Sequence, residues 1–269
     1  MKHIRCWLTF LLLSLMACCP QSFASTSPTE AKKWALKAEK AAYYSGNTAR
    51  SQVRMMIVDG QQRKQFRQFT LLRKNNVENA DQQMMVFFSR PAEVKNTVFR
   101  VEKHAGNNTT DDRWLYLPAL DLVKRIASTD KRTSFVGSHF YYEDVSGRNI
   151  REDTFEIAED KQSEVSLLAT PNLPDSVEFT SYLVTIDKAT FLPVKIDYLD
   201  GKGQVYRRVE AIETKVIQGF PTIVKSKVSD LVTGGFTLME FRNIQYELAI
   251  SDDVFTERSL RTPPTRFLK

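Results

Sequence analysis

The chain has 269 residues and a formal net charge of +6, from 38 lysines and arginines against 32 aspartates and glutamates. Charges of both signs are spread along it with no polybasic block, which argues against nucleic-acid binding and for a solvated outer surface. Its three cysteines, Cys6, Cys18 and Cys19, all precede Ser25, so the rest of the chain offers no cysteine nucleophile, thiolate metal site or disulfide.

Lys2 and Arg5 precede an almost wholly apolar run, 6–17, and Ser22-Phe23-Ala24 sets small residues at positions −3 and −1 of a cleavage site. That tripartite pattern predicts a secretory signal peptide at 1–24, with an apolar core too short to span a bilayer, ahead of one domain at 25–269. Leu15-Met16-Ala17-Cys18 offers a rival reading as a bacterial lipobox, in which Cys18 is acylated; Met16 is unusual there, which favours the free, cleaved form. An exported domain without disulfides must be held by its core, and this chain is long enough to bury one.

Ser27-Pro28-Thr29-Glu30 combines a capping serine, proline at the first helical position and glutamate three residues after the cap, which together start a helix. Ala31, Trp34, Ala35, Ala38, Ala41 and Ala42 then share a stripe, so an amphipathic helix to about Tyr44 packs on a sheet. From Ala49 the period becomes two. Val53, Met55 and Ile57 share a face before the Asp59-Gly60 turn, and Phe69 and Leu71 share one on the return strand. Further strands are expected at 84–88, 98–101 and 114–117, the last ending at Pro118, which has no amide to donate. A long excursion follows, to Asp144. Strands at 154–157, 165–168, 176–187, 193–200, 204–215, 223–232 and 235–246 complete the pattern, with Asp200-Gly201 and Gly234-Gly235 where hairpins turn. Even spacing with few helices predicts one large antiparallel sheet that curls or closes.

The segments MMVFF (84–88), WLYL (114–117) and SYLVTI (181–186) are apolar on both faces, so both sides of the sheet must be covered. The helix at 28–44 and the excursion at 120–130 serve one side. The other is a second sheet or the lining of an apolar cavity; seven methionines and 17 phenylalanines favour the cavity, since flexible thioethers adapt to varied apolar ligands.

Catalytic constellations are not found. His104 lies in a turn-like HAGNN segment, and Gly137-Ser138-His139 lacks the glycine spacing of a nucleophile elbow. Two separated histidines form no metal motif, and Asp111-Asp112 and Asp252-Asp253 sit beside turn signals, where aspartate caps. With no phosphate loop either, the reading is a binding protein, not an enzyme, with no cofactor and no metal.

WLYLPAL (114–120), KRIAS (124–128) and SFVGSHFYYED (134–144) resemble the signature of the outer-membrane lipoprotein-sorting protein family, a distant branch of the LolA/LolB-like periplasmic carriers. Residues 55–59, RPAEVKNTVFR (90–100) and VFTERSLR (254–261) carry the likeness across most of the chain. The resemblance implies a mainly β fold with a few helices: a half-open antiparallel β-barrel wrapped against an N-terminal helix and a lid segment. It further implies a periplasmic, monomeric carrier of a lipid, lipoprotein or other amphiphile, working with an inner-membrane RND-type exporter. On the strand-face reading, the cavity candidates are Met55, Ile57, Phe69, Phe87, Phe99, Leu115, Phe236 and Leu238. A second reading makes the fold an accessory or sensor subunit of an exporter or envelope-stress pathway. It docks through exposed basic residues Lys124, Arg125, Lys131 and Arg132 and aromatic residues Phe135, Phe140, Tyr141 and Tyr142; the same segment serves as a lid on the carrier reading.

Overall fold

A computed structural model of the chain describes residues 28–106 and 110–268; the expected signal peptide and Cys18 lie outside the described residues. Helix α1 (Pro28–Tyr43) leads into strands β1 (Thr48–Val58), β2 (Lys64–Asn75), β3 (Gln82–Arg90), β4 (Val98–Lys103), β5 (Asp112–Leu117) and β6 (Leu122–Arg125). After the short helix α2 (Tyr142–Ser146) come β7 (Asp153–Asp160), β8 (Glu164–Pro171), β9 (Ser181–Asp187), β10 (Pro193–Leu199), β11 (Val205–Ile217), β12 (Phe220–Asp230) and β13 (Phe236–Tyr246). A helical turn, α3 (Arg258–Arg261), lies in the C-terminal segment.

The thirteen strands form one antiparallel sheet in the order β6-β5-β4-β3-β2-β1-β13-β12-β11-β10-β9-β8-β7. All neighbours but one are consecutive in sequence; the exception is β1 beside β13, which joins two meandering wings. Among the described residues β6 and β7 are unpaired edges, so the curled sheet does not close and forms a half-open barrel. This is the architecture that the resemblance implies.

Alternation decides what each wing buries. On the concave face of β1–β5, Met55, Ile57, Phe69, Val86, Phe88, Phe99 and Leu115 pack against Phe135, Phe140 and Tyr142 of the segment that runs from β6 into α2. On the concave face of β7–β10, Phe155, Leu167, Tyr182, Val184 and Ile186 pack against the alanine stripe of α1, in which Ala31, Ala35 and Ala38 are buried. Small side chains let the helix approach the sheet closely.

Two expectations are corrected. The cover of the first wing is 126–146, not 120–130. Residues 122–125 instead add the edge strand β6, and Leu120 and Leu122 stay exposed. The convex face of the first wing is covered neither by a second sheet nor by a cavity: Leu72, Met85, Phe87 and Val98 pack under Ile250, Val254, Phe255 and Leu260 of the C-terminal segment. Backbone carbonyls anchor that cover, Phe255 O accepting from Arg100 Nε at 2.7 Å and Ile250 O from Lys74 Nζ at 3.1 Å.

Candidate functional site

Between α1, α2 and the concave sheet lies a cavity of about 280 Å³. Ala35, Ala38 and Ala42 form its helix wall, and Val184, Ile186, Ile196, Val209, Met239 and Phe241 its floor. It exists because the covering segment fills one wing and the N-terminal turns of α1 the other, while alanines along α1 are too short to fill the middle. Its apolar lining and a polar end are the usual composition of a small-molecule site.

The polar end carries Glu39 and Tyr43 of α1, Arg73 of β2, and Glu143, Asp144 and Arg148 around α2. Most of these charges are matched internally. Glu143 meets Arg132 at 2.7 Å and Lys131 and Arg148 at 3.0 Å. Burial would raise its carboxyl, but Arg148, Arg132 and Lys131 outweigh that and hold it down to about 2. Arg148 also binds Asp153 at 2.7 Å and Glu152 at 2.9 Å, Arg132 binds Glu178 at 2.7 Å, and Asp144 pairs with Arg207 of β11. The network ties the covering segment to the β7–β13 wing.

Lys131 and Arg132, expected to be exposed, are therefore buried; three carboxylates offset the desolvation that burial imposes. Phe135, Phe140 and Tyr142 are buried as well, facing the sheet from beneath the cover, whereas Lys124 and Arg125 are exposed on β6. Phe140 alone among the sixteen candidates lines the cavity. Met55, Ile57, Phe69, Phe99 and Leu115 share the packed core under the cover, and Phe87 lies on the convex face under the C-terminal segment. Phe236 and Leu238 alternate with buried Thr237 and Met239, so they point away from the concave side, where Lys227 Nζ sits 4.9 Å from the Phe236 ring. The cavity wall nearest the missed residues was written in the alanine stripe, whose small side chains could have marked where packing falls short.

The histidines are occupied. His139 Nδ1 lies 2.8 Å from Thr237 Oγ1, while the Ser138 hydroxyl donates to the Phe140 carbonyl at 3.3 Å, so the two side chains are not coupled as base and nucleophile. Glu102, His104 and Asp112 bring ligand atoms within 4.8 Å of one another. Both carboxylates are engaged there, by Arg100 and Arg125 respectively, and His104 Nε2 stands 3.3 Å from Asp112.

Comparisons with known proteins agree with this geometry. A family model described only as an uncharacterized protein matches residues 80–262. No curated protein matches the chain. Among solved structures, the chain is similar to a DUF1329 family protein from Desulfovibrio piger, with 25% identity and a TM-score of 0.80 over 87% of this chain and 100% of that one. It is also similar to an outer membrane lipoprotein-sorting protein domain from Vibrio parahaemolyticus (24% identity, TM-score 0.78, 87% of this chain and 100% of that one). A LolA superfamily protein from Nitrosomonas europaea shares the fold at 15% identity (TM-score 0.63, 85% of this chain and 98% of that one). The curled sheet with its internal cover thus has a LolA-like fold. The chain belongs to the DUF1329 family.

Proposed function

We propose that the protein is a non-enzymatic periplasmic carrier that holds the apolar part of a lipid, a lipoprotein or another amphiphile in the cavity between α1 and the sheet, and passes it between envelope components. The observation that supports this reading is the cavity itself: about 280 Å³ of apolar-lined space kept open in a core that is elsewhere closely packed. Each methylene exposed to water costs about 0.8 kcal/mol, so a palmitoyl-length chain costs on the order of 10 kcal/mol to carry bare through an aqueous gap. Shelter removes that barrier without a catalytic group.

On the same reading the segment 1–24 is a cleaved export signal, the mature domain begins at Ser25 and acts as a monomer, and an inner-membrane RND-type exporter is the partner. Of the basic and aromatic docking candidates, Lys124 and Arg125 are exposed, with exposed Leu120 and Leu122 beside them. Protein purified from the periplasm without detergent and extracted with organic solvent should release an amphiphile detectable by mass spectrometry. A chain that neither carries nor takes up any amphiphile would refute the carrier.

A further inference from the structure

Four buried side-chain atoms lack a hydrogen-bond partner among the described residues: Arg67 Nε, Arg73 Nε, Gln82 Oε1 and Lys103 Nζ. Three of them gather around Tyr43, at the polar end of the cavity. Arg73 donates from both terminal nitrogens to the carbonyls of Tyr43 and Ser45, and Gln82 Nε2 donates to the Tyr43 carbonyl at 2.7 Å. Lys103 Nζ lies 5.4 Å from the Tyr43 ring centre and 3.9 Å from Glu39 Oε1, beyond hydrogen-bond reach. Buried polar groups are nearly always satisfied, so a cluster of exceptions beside a cavity points to a missing partner.

Charge says what kind. Arg148, the cation on the α2 side of the cavity, is held by Glu143, Glu152 and Asp153. Arg73 forms no salt bridge among the described residues; it faces only the end of α1, whose carbonyls amount to about half a negative charge. Behind it, Lys103 has Glu39 as its nearest carboxylate, at 3.9 Å. Setting aside the carboxylates already paired, Glu143, Asp144 and Asp111 (held by Arg113), the pocket end holds two buried cations, Arg73 and Lys103, against Glu39 and a helix terminus. Arg73 also lines the cavity, whereas Lys103 stands behind Tyr43.

We propose that the cavity selects amphiphiles whose head is an oxyanion, a carboxylate or a phosphate, and that Arg73 is the residue that receives it, with Lys103 adding positive potential from behind. This rests on the carrier reading and names its ligand class. An oxyanion placed there supplies an acceptor for Arg73 Nε and the counter-charge that the guanidinium lacks, while the alkyl chain runs along Ala38 toward Ile196 and Val209. Burial lowers Arg73 to about 10, so it stays cationic at neutral pH.

The test is calorimetric titration of the mature protein at pH 7.5 with decanoate, decyl phosphate, decanol, acetate and inorganic phosphate. Decanoate and decyl phosphate are expected to bind at least tenfold tighter than decanol, although the neutral alcohol leaves water more readily, and the chain-free anions far more weakly. Arg73→Gln should bring the ratio of decanoate to decanol affinity near one, and Arg73→Lys should keep most of the preference, with circular dichroism reporting the fold of each. Equal wild-type affinities, or tighter binding of decanol, overturn this inference and leave the carrier standing. Acetate or phosphate binding as tightly as the chain ligands overturns the amphiphile assignment, and no binding by any chain ligand overturns the carrier reading too.

Discussion

Arg132 Nη1 donates to Glu143 Oε2 at 2.7 Å with the two side chains only 5% and 2% exposed, which makes the covering segment an ionic lock as much as an apolar plug. Glu143 is the hub, since Lys131 and Arg148 bind its other oxygen. Removing one member of such a set leaves buried cations uncompensated, which costs about 3–5 kcal/mol. Glu143→Gln should therefore lower the unfolding free energy measured in urea by that amount, far more than Glu156→Gln on the exposed side of β7.

The same carboxyl sets an acid limit. Its folded pKa of about 2 lies below the ordinary glutamate value of 4.5, so the folded state binds its proton less readily than the unfolded chain. Its contribution is complete above about pH 5 and is lost as the pH falls toward 2, on the order of 3 kcal/mol in all. Unfolding free energy measured between pH 6 and pH 3 should fall in the wild type and fall less steeply in Glu143→Gln.

Phe135 is the centre of the apolar plug, with ring centres of Phe69, Phe88, Phe99 and Tyr142 between 5.5 and 6.1 Å away. Truncation there leaves a void that the sheet cannot close. Phe135→Ala should cost about 3–5 kcal/mol in denaturant unfolding.

Deletion from residue 248 onward strips the cover from Leu72, Met85, Phe87 and Val98. The exposed convex face becomes a continuous apolar patch, the kind that drives association. The truncated chain should aggregate or bind a dye such as ANS strongly, as light scattering and fluorescence would register; a soluble monomer that binds no ANS would contradict the assigned cover.

The strands were legible because alternation and turn chemistry are local. Val53, Met55 and Ile57 fall on the concave face as their spacing requires, and Asp59-Gly60 turns where expected. The site was not, for two physical reasons. Phe236 and Leu238 share one face of their strand, but on β13 the concave face belongs to Thr237 and Met239, and only pairing with β1 and β12 reveals it. Arg132, Glu143 and Glu178 look like surface charges one at a time, because their neutralising contacts join residues as far as 46 positions apart. The C-terminal cover has no period to read; apart from short helical turns it is irregular.

The central claim is that the space under α1 carries an apolar chain, and filling that space tests it most directly. Val209 lines the cavity floor, and Val209→Trp should occupy the void with stability changed by about 1 kcal/mol or less, since little overpacking results. Titration of a fluorescent fatty acid into wild-type and Val209→Trp protein is the decisive measurement. The account predicts one saturable site in the wild type and at least a tenfold loss of affinity in the folded variant. Equal binding by the two proteins, or none by the wild type, would contradict it.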